Sequence, residues 1–324
     1  MADIGEREQV VTAVDGESES APYSAAAATT AHVELPGPLD LAASLEMFRR
    51  AGDDGIDRFD GARLMRTLPL PDGQAVAYAA TLAGTIKRPA LEVTVAEPRD
   101  LPVVEAALRA TFLMPPLEYD LLLAEDAVVA RLEARFRGLR QVRQFDLFAA
   151  LVRSISAQQV NLRWAATTRR RLAEAFGERH EVAGEWVYRL DPARLAAARV
   201  EEIRALQFTT RKAEYIIHTA QAMAEGRLAL TELEPLEDAA VVERLVALRG
   251  LGRWTAEWIL ARTLGRPVVV AGDLAVRKAV GAAYLNEALP SEAAVRTATA
   301  HWGASAGVAQ ALLLAGYGAG TLST

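Results

Sequence analysis

The sequence predicts a mainly α protein: a small α+β domain with an antiparallel sheet, followed by an all-helical domain built around a helix–hairpin–helix turn. Residues 63–95 alternate apolar and polar side chains at strand spacing on either side of Pro71-Asp72-Gly73, the composition of a tight turn. From about residue 116 onward the apolar residues recur at helical spacing instead. Between them Val246 and Val280 enclose a stretch that stops one helix at Gly250-Leu251-Gly252 and starts another at Arg253. The expected boundaries are a disordered acidic tail over 1–35, an α+β domain over 36–115 and the helical domain over 116–324.

In chain order, residues 1–35 are rich in Ala, Ser, Thr and Glu with little periodicity, a composition that cannot bury enough apolar surface to order itself. A short helix follows, with Leu41, Leu45, Met47 and Phe48 on its apolar side and Gly52 just past its end. Strands are expected over 63–70, 75–82 and 90–95, then a helix over 102–112. The helical domain should run through 125–137, 145–156 and 162–176, with Ala157-Gln158-Gln159-Val160-Asn161 breaking the last two. Asp191-Pro192 is an N-cap followed by a first-turn proline. It opens a helix to 198, and others are expected over 201–206, 211–224, 236–248, 253–264, 274–283, 291–301 and 307–314.

Composition narrows the chemistry. The chain of 324 residues has no cysteine, which excludes disulfides, thiolate zinc sites and a cysteine-bound iron–sulfur cluster. His32, His180, His218 and His301 are too scattered along the sequence to suggest a metal site. No run of about 18 apolar residues and no basic-then-apolar opening is present, so a cytoplasmic protein without membrane contact is expected. The net charge of −6 looks wrong for a nucleic-acid binder. Residues 1–35 account for all of it, with Asp3, Glu6, Glu8, Asp15, Glu17, Glu19 and Glu34 against Arg7. The remaining body is neutral, and a neutral body can still present a basic face.

The hairpin carries the most specific chemistry. Two glycines around one apolar residue let the backbone turn sharply and approach a ligand closely. The amides that open the second helix then form an anion site. Arg249 and Arg253 bracket the turn, and together these features suit a nucleic-acid phosphate. Asp273 precedes another helical run, where a carboxylate read in isolation is an N-cap. Trp254 and Trp258 lie i, i+4 on one helix face, a spacing that also serves ordinary core packing.

The run Leu248-Arg249-Gly250-Leu251-Gly252-Arg253-Trp254-Thr255-Ala256, with Asp273 downstream, resembles the signature of the helix–hairpin–helix DNA glycosylases, and Gly252-Arg253-Trp254-Thr255-Ala256 is similar to the 3-methyladenine DNA glycosylase II family. That resemblance implies a small sheet-containing domain ahead of the helical one. It implies that Asp273 is the catalytic carboxylate and that Gly250, Leu251 and Gly252, with Arg249 and Arg253, clamp the DNA backbone. It makes Trp254 and Trp258 candidate walls for an extruded base. Gln158 and Gln159 would supply the plug that fills the vacated stack, polar here where the family also uses leucine. The main-chain carbonyls of Val246, Leu248 and Leu251 would hold a Na+ or K+ ion, with no other cofactor required. Trp254 stands where the lyase branches have lysine, so a monofunctional enzyme is implied. It would act as a monomer on double-stranded DNA containing alkylated bases of the 3-methyladenine and 7-methylguanine type. Two departures bear on substrate range: Leu274 follows Asp273 where an aromatic is usual, and Gly316 stands beside Tyr317 where the family can place another pocket aromatic. A glycosylase of the same fold for deaminated bases such as hypoxanthine, or a non-catalytic helix–hairpin–helix DNA-binding protein, are the alternatives.

Overall fold

The computed structural model describes residues 28–322. Strand β1 (Thr29–Glu34) precedes helix α1 (Leu41–Ala51), and β2 (Arg58–Phe59), β3 (Arg63–Pro69), β4 (Ala75–Thr85) and β5 (Arg88–Val95) complete an antiparallel sheet of order β1-β5-β4-β3-β2. Asp40 caps α1 by accepting from the Ala43 N–H at 2.9 Å, and the helix buries Leu41, Leu45 and Phe48 against the sheet. Residues 29–34, expected to belong to the disordered tail, instead form the edge strand. Thr30 pairs with Thr94 and His32 with Glu92 across β5, while Val33 is buried in the core. The cross-strand partners lie some sixty residues away, so no local pattern announces this strand. The rest of the acidic tail, residues 1–27, lies outside the described residues.

Helix α2 (Leu101–Thr111) leads into β6 (Phe112–Leu113), which pairs with β7 (Gln141–Val142) around α3 (Tyr119–Glu125) and α4 (Ala127–Arg135). Then come α5 (Leu147–Ala157) and α6 (Leu162–Phe176). The region expected to be all-helical is next interrupted by a hairpin of β8 (Gly177–Val182) and β9 (Glu185–Leu190). Its two-residue turn, Ala183-Gly184, has positive φ at both positions, which matches the twist of paired strands. Val182 and Val187 pack on Met65, Ala77 and Ala79 of the N-terminal sheet, and Tyr188 N–H donates to the Gly55 carbonyl at 2.8 Å. The hairpin exists because that sheet offers it a partner surface, not because of its own sequence.

The remaining elements are helical: α7 (Pro192–Ala196), α8 (Val200–Ala205), α9 (Thr210–Ala224), α10 (Leu230–Leu233), α11 (Asp238–Val246), α12 (Arg253–Arg262), α13 (Leu274–Val280), α14 (Glu292–Thr299) and α15 (Ala306–Gly318). They divide into two cores. One joins α5, α6 and α7 through α12; the other joins α3, α4, α13, α14 and α15. The chain crosses from the first to the second between α12 and α13, so residues on those two helices face each other over a seam.

A buried ionic network ties the N-terminal domain to the helices. Asp54 accepts from Arg153 and Arg169 at 2.9 Å each, and Asp57 accepts from Arg66 at 2.5 Å and Arg153 at 2.6 Å. Burial opposes the Asp54 charge, but the Arg153 and Arg169 guanidiniums outweigh it and hold its pKa at about 2. Arg169 also donates to Ser156 Oγ at 2.9 Å. The network therefore fixes α5 and α6, the helices on either side of residues 158–161.

Candidate active site

The turn at 250–252 connects α11 to α12 as expected. Gly250 has φ +96°, and a Cβ there would lie 2.2 Å from the Tyr215 ring, so both conformation and space require glycine. Gly252 is different: its φ is −104° and nothing lies within 4 Å of where its Cβ would be. The fold does not need glycine at 252, which leaves room for something outside the chain to approach. Gly252→Val should accordingly leave thermal unfolding nearly unchanged while weakening binding to duplex DNA of every sequence. Gly250→Val should lose the fold itself. Equal duplex affinity for Gly252→Val and wild type, measured by fluorescence anisotropy across salt concentrations, would remove the backbone-clamp role.

Gln158 donates through Nε2 to the Gly250 carbonyl at 3.2 Å, which brings the expected plug loop against the hairpin. Beneath them Ser154 and Thr255 hydroxyls meet at 2.8 Å in the buried contact between α5 and α12. Lys212 adds a hydrogen bond to the Ser156 carbonyl at 2.8 Å. Gln159 sits exposed at the tip with φ +57°, a left-handed conformation that costs a non-glycine residue about 1–2 kcal/mol. Arg249 and Arg253 are exposed but already paired, with Glu214 at 3.1 Å and the buried Glu257 at 2.9 Å. A phosphate at the hairpin would compete for these two cations.

Asp273 caps α13, its Oδ1 accepting from the Ala275 and Val276 N–H groups at 2.9 and 3.1 Å. Its Oδ2 accepts from Trp254 Nε1 at 3.2 Å. The cap and the functional reading of this residue are thus compatible, because each uses a different oxygen. The hydrogen bond crosses the seam between the two cores and gives Trp254 a second capacity: it orients the carboxylate as well as offering a ring face. Trp258 is placed differently. It packs against the core formed by α5 through α12, and no polar partner engages it among the described residues. Leu274 is exposed beside the site. Gly316 is buried against Leu132 and Leu322, where a Cβ would meet Leu132 at 2.5 Å, so no side chain fits there. Tyr317 lines a separate surface cavity with Lys278 and Asn286.

Arg262 and Met47 are additions that sequence reasoning missed. Arg262 follows Trp254 and Trp258 by the same helical step, which was the available signal. Burial pushes its guanidinium down to about 10 against the upward pull of the Asp273 charge. Met47 reaches it from α1, with Sδ 3.4 Å from Arg262 Nη1. No feature of the sequence connects residues so far apart. A larger cavity of about 650 Å³, lined by Pro38, Tyr119 and Glu133 among others, shares no residue with this constellation.

A hairpin with an open glycine, a loop hydrogen-bonded to it and a carboxylate at the seam of two helical cores make up a helix–hairpin–helix arrangement. Residues 152–304 match the model of the HhH-GPD superfamily base excision DNA repair protein. Over that stretch the chain is similar to the helix–hairpin–helix glycosylase superfamily, and the curated relatives it resembles are DNA-3-methyladenine glycosylases. It is 36% identical over 137 residues to DNA-3-methyladenine glycosylase 2 of Escherichia coli, 42% of this chain and 48% of that protein. With a DNA-3-methyladenine glycosylase of Bacillus subtilis it shares 34% identity over 134 residues, 41% of this chain and 44% of that protein. The chain thus matches about half the length of these curated relatives. The 3-methyladenine DNA-glycosylase structure from Archaeoglobus fulgidus superposes with a TM-score of 0.78 at 26% identity, covering 91% of this chain and 100% of that one.

Proposed function

We propose that this protein is a monofunctional DNA glycosylase of base excision repair that extrudes alkylated bases from duplex DNA and hydrolyses their N-glycosidic bonds. The observation that carries the proposal is the Asp273 carboxylate, capped on one oxygen and held by Trp254 on the other. Extrusion costs about a few kcal/mol of lost stacking and pairing. In this reading the hairpin around Gly252 grips the backbone, Gln159 enters the gap, and Trp254 presents its ring to the base. A cationic alkylated base gains up to about 2 kcal/mol over such a ring once water is excluded.

Bond cleavage leaves positive charge on the sugar, and the Asp273 carboxylate stabilises it and orients the attacking water. An alkylated base leaves readily, so little general-acid assistance is needed. Residue 254 is tryptophan, so no amine stands there to form a Schiff base, and the product is an intact abasic site. The hairpin also fits a monovalent cation in kind: the Val246 and Leu251 carbonyls accept no hydrogen bond among the described residues, while Leu248 accepts from Leu251 N–H at 3.1 Å. Na+ or K+ held there would supply positive charge to the phosphate.

Incubating methylated duplex DNA with the protein should release methylpurines, and the strand should break only after alkali is added. Strand breakage by the protein alone, or no base release, would overturn the proposal.

A further inference from the structure

Trp254, Trp258 and Arg262 recur at i, i+4 and i+8 of α12, so all three leave the helix on the same side. Arg262 is hemmed in by protein yet keeps part of its surface accessible. A guanidinium carries five N–H donors. Among the described residues this one makes a single hydrogen bond, to the Met47 thioether at 3.4 Å, and a thioether is a weak acceptor. No carboxylate oxygen of the described residues comes within 4 Å of it, although the Asp273 charge reaches it. Other buried arginines in the protein are held differently: Arg66, Arg153 and Arg169 each grip a buried aspartate. Burying a charge without a partner is costly, so unspent donors on the Trp254 side of α12 point to a ligand that supplies acceptors.

Arginine donates naturally to the O6 acceptor of a 6-oxopurine, an acceptor that alkylation at N7 leaves in place. A 6-aminopurine presents an N–H donor where a 6-oxopurine has O6, so it offers the guanidinium no acceptor at that position. We propose that Arg262 is a specificity-determining residue that donates to the carbonyl oxygen of the extruded base. The site thereby favours 6-oxopurines, hypoxanthine and 7-methylguanine, over 3-methyladenine. Met47, contributed by the N-terminal domain, packs on the guanidinium and holds it in that position. This inference rests on the glycosylase reading and names the class of base that the same site prefers.

The test compares single-turnover release of 7-methylguanine and 3-methyladenine from methylated duplex DNA, and of hypoxanthine from a synthetic duplex, by wild type, Arg262→Met and Arg262→Gln. Arg262→Met should lower the release of both 6-oxopurines relative to 3-methyladenine by about 5- to 100-fold, the equivalent of one good base-edge contact. Arg262→Gln keeps a neutral donor and should fall between the other two. If circular dichroism shows that the methionine variant does not fold, the glutamine variant reads the same ratio. Unchanged ratios, or equal losses on all three bases, would overturn the proposal, the latter making Arg262 a support for Asp273 alone. Failure of the wild-type protein to release any base would instead overturn the glycosylase reading.

Discussion

Asp273→Asn should slow base excision by on the order of 10²–10³, the usual cost of losing one electrostatic contact to the transition state, while duplex binding survives. Asparagine caps helices about as well as aspartate, which alone would leave stability untouched. The Trp254 hydrogen bond changes that expectation. One oxygen of Asp273 accepts two backbone N–H groups and the other accepts the indole N–H, so both must be acceptors. An asparagine amide has one acceptor and one donor, and whichever way it turns an N–H faces another N–H. A loss of about 1 kcal/mol in folding stability should therefore accompany the rate loss. Single-turnover excision of 7-methylguanine from a duplex, with anisotropy for binding, measures both halves of the prediction. Rates comparable to wild type would reduce Asp273 to a helix cap. Trp254→Phe is the companion variant: it keeps a ring face but leaves Oδ2 without its donor, so it should reduce the excision rate more than duplex affinity.

Asp54→Ala should cost about 3–5 kcal/mol of folding stability, because it leaves buried guanidiniums without their shared acceptor. Arg153 retains Asp57, but Arg169 is left with only the Ser156 hydroxyl among the partners described. The same network gives a pH signature. Burial raises the Asp54 pKa and the two arginines lower it further, to about 2 in the folded protein. An unfolded aspartate titrates near 3.9. Because the folded value is the lower one, the stabilisation is fully present above about pH 5. It is lost as pH falls through the window between about 4 and 2. Urea unfolding at pH 7 and pH 3 should show the gap between wild type and Asp54→Ala narrowing in acid. A loss below about 1 kcal/mol at pH 7, or a gap that does not narrow, would mean that desolvation cancels the ion pairs. Since Arg169 also holds Ser156, the variant should disturb the loop at 158–161 and weaken DNA binding along with stability.

The sequence by itself determined the features whose signals are local. Gly250 marks the turn between α11 and α12 because its left-handed backbone and the Tyr215 ring beside it leave room for little else, whereas Gly252 marks the turn only by pattern. Apolar spacing marks α6 and α9, and alternation around Pro71-Asp72-Gly73 marks the β3–β4 hairpin. Asp273 was legible as a cap from the helical run that follows it, and as a candidate carboxylate through the resemblance carried by residues 248–256 upstream. Only the tertiary structure decided what those residues meet. Strand β1 forms because β5 offers an open edge, and β8–β9 fold as a hairpin because Met65, Ala77 and Ala79 cover their apolar side. The two tryptophans, equivalent by spacing, are separated by their surroundings: Trp254 faces Asp273 across the seam, and Trp258 leans on the core. Arg262 shares their helical step but acquires its meaning from Met47, which arrives from the other domain. Local propensity and turn chemistry act over a few residues and can be read along the chain. The partners of a buried polar group are chosen by how distant segments pack, and that choice is made only when the whole chain folds.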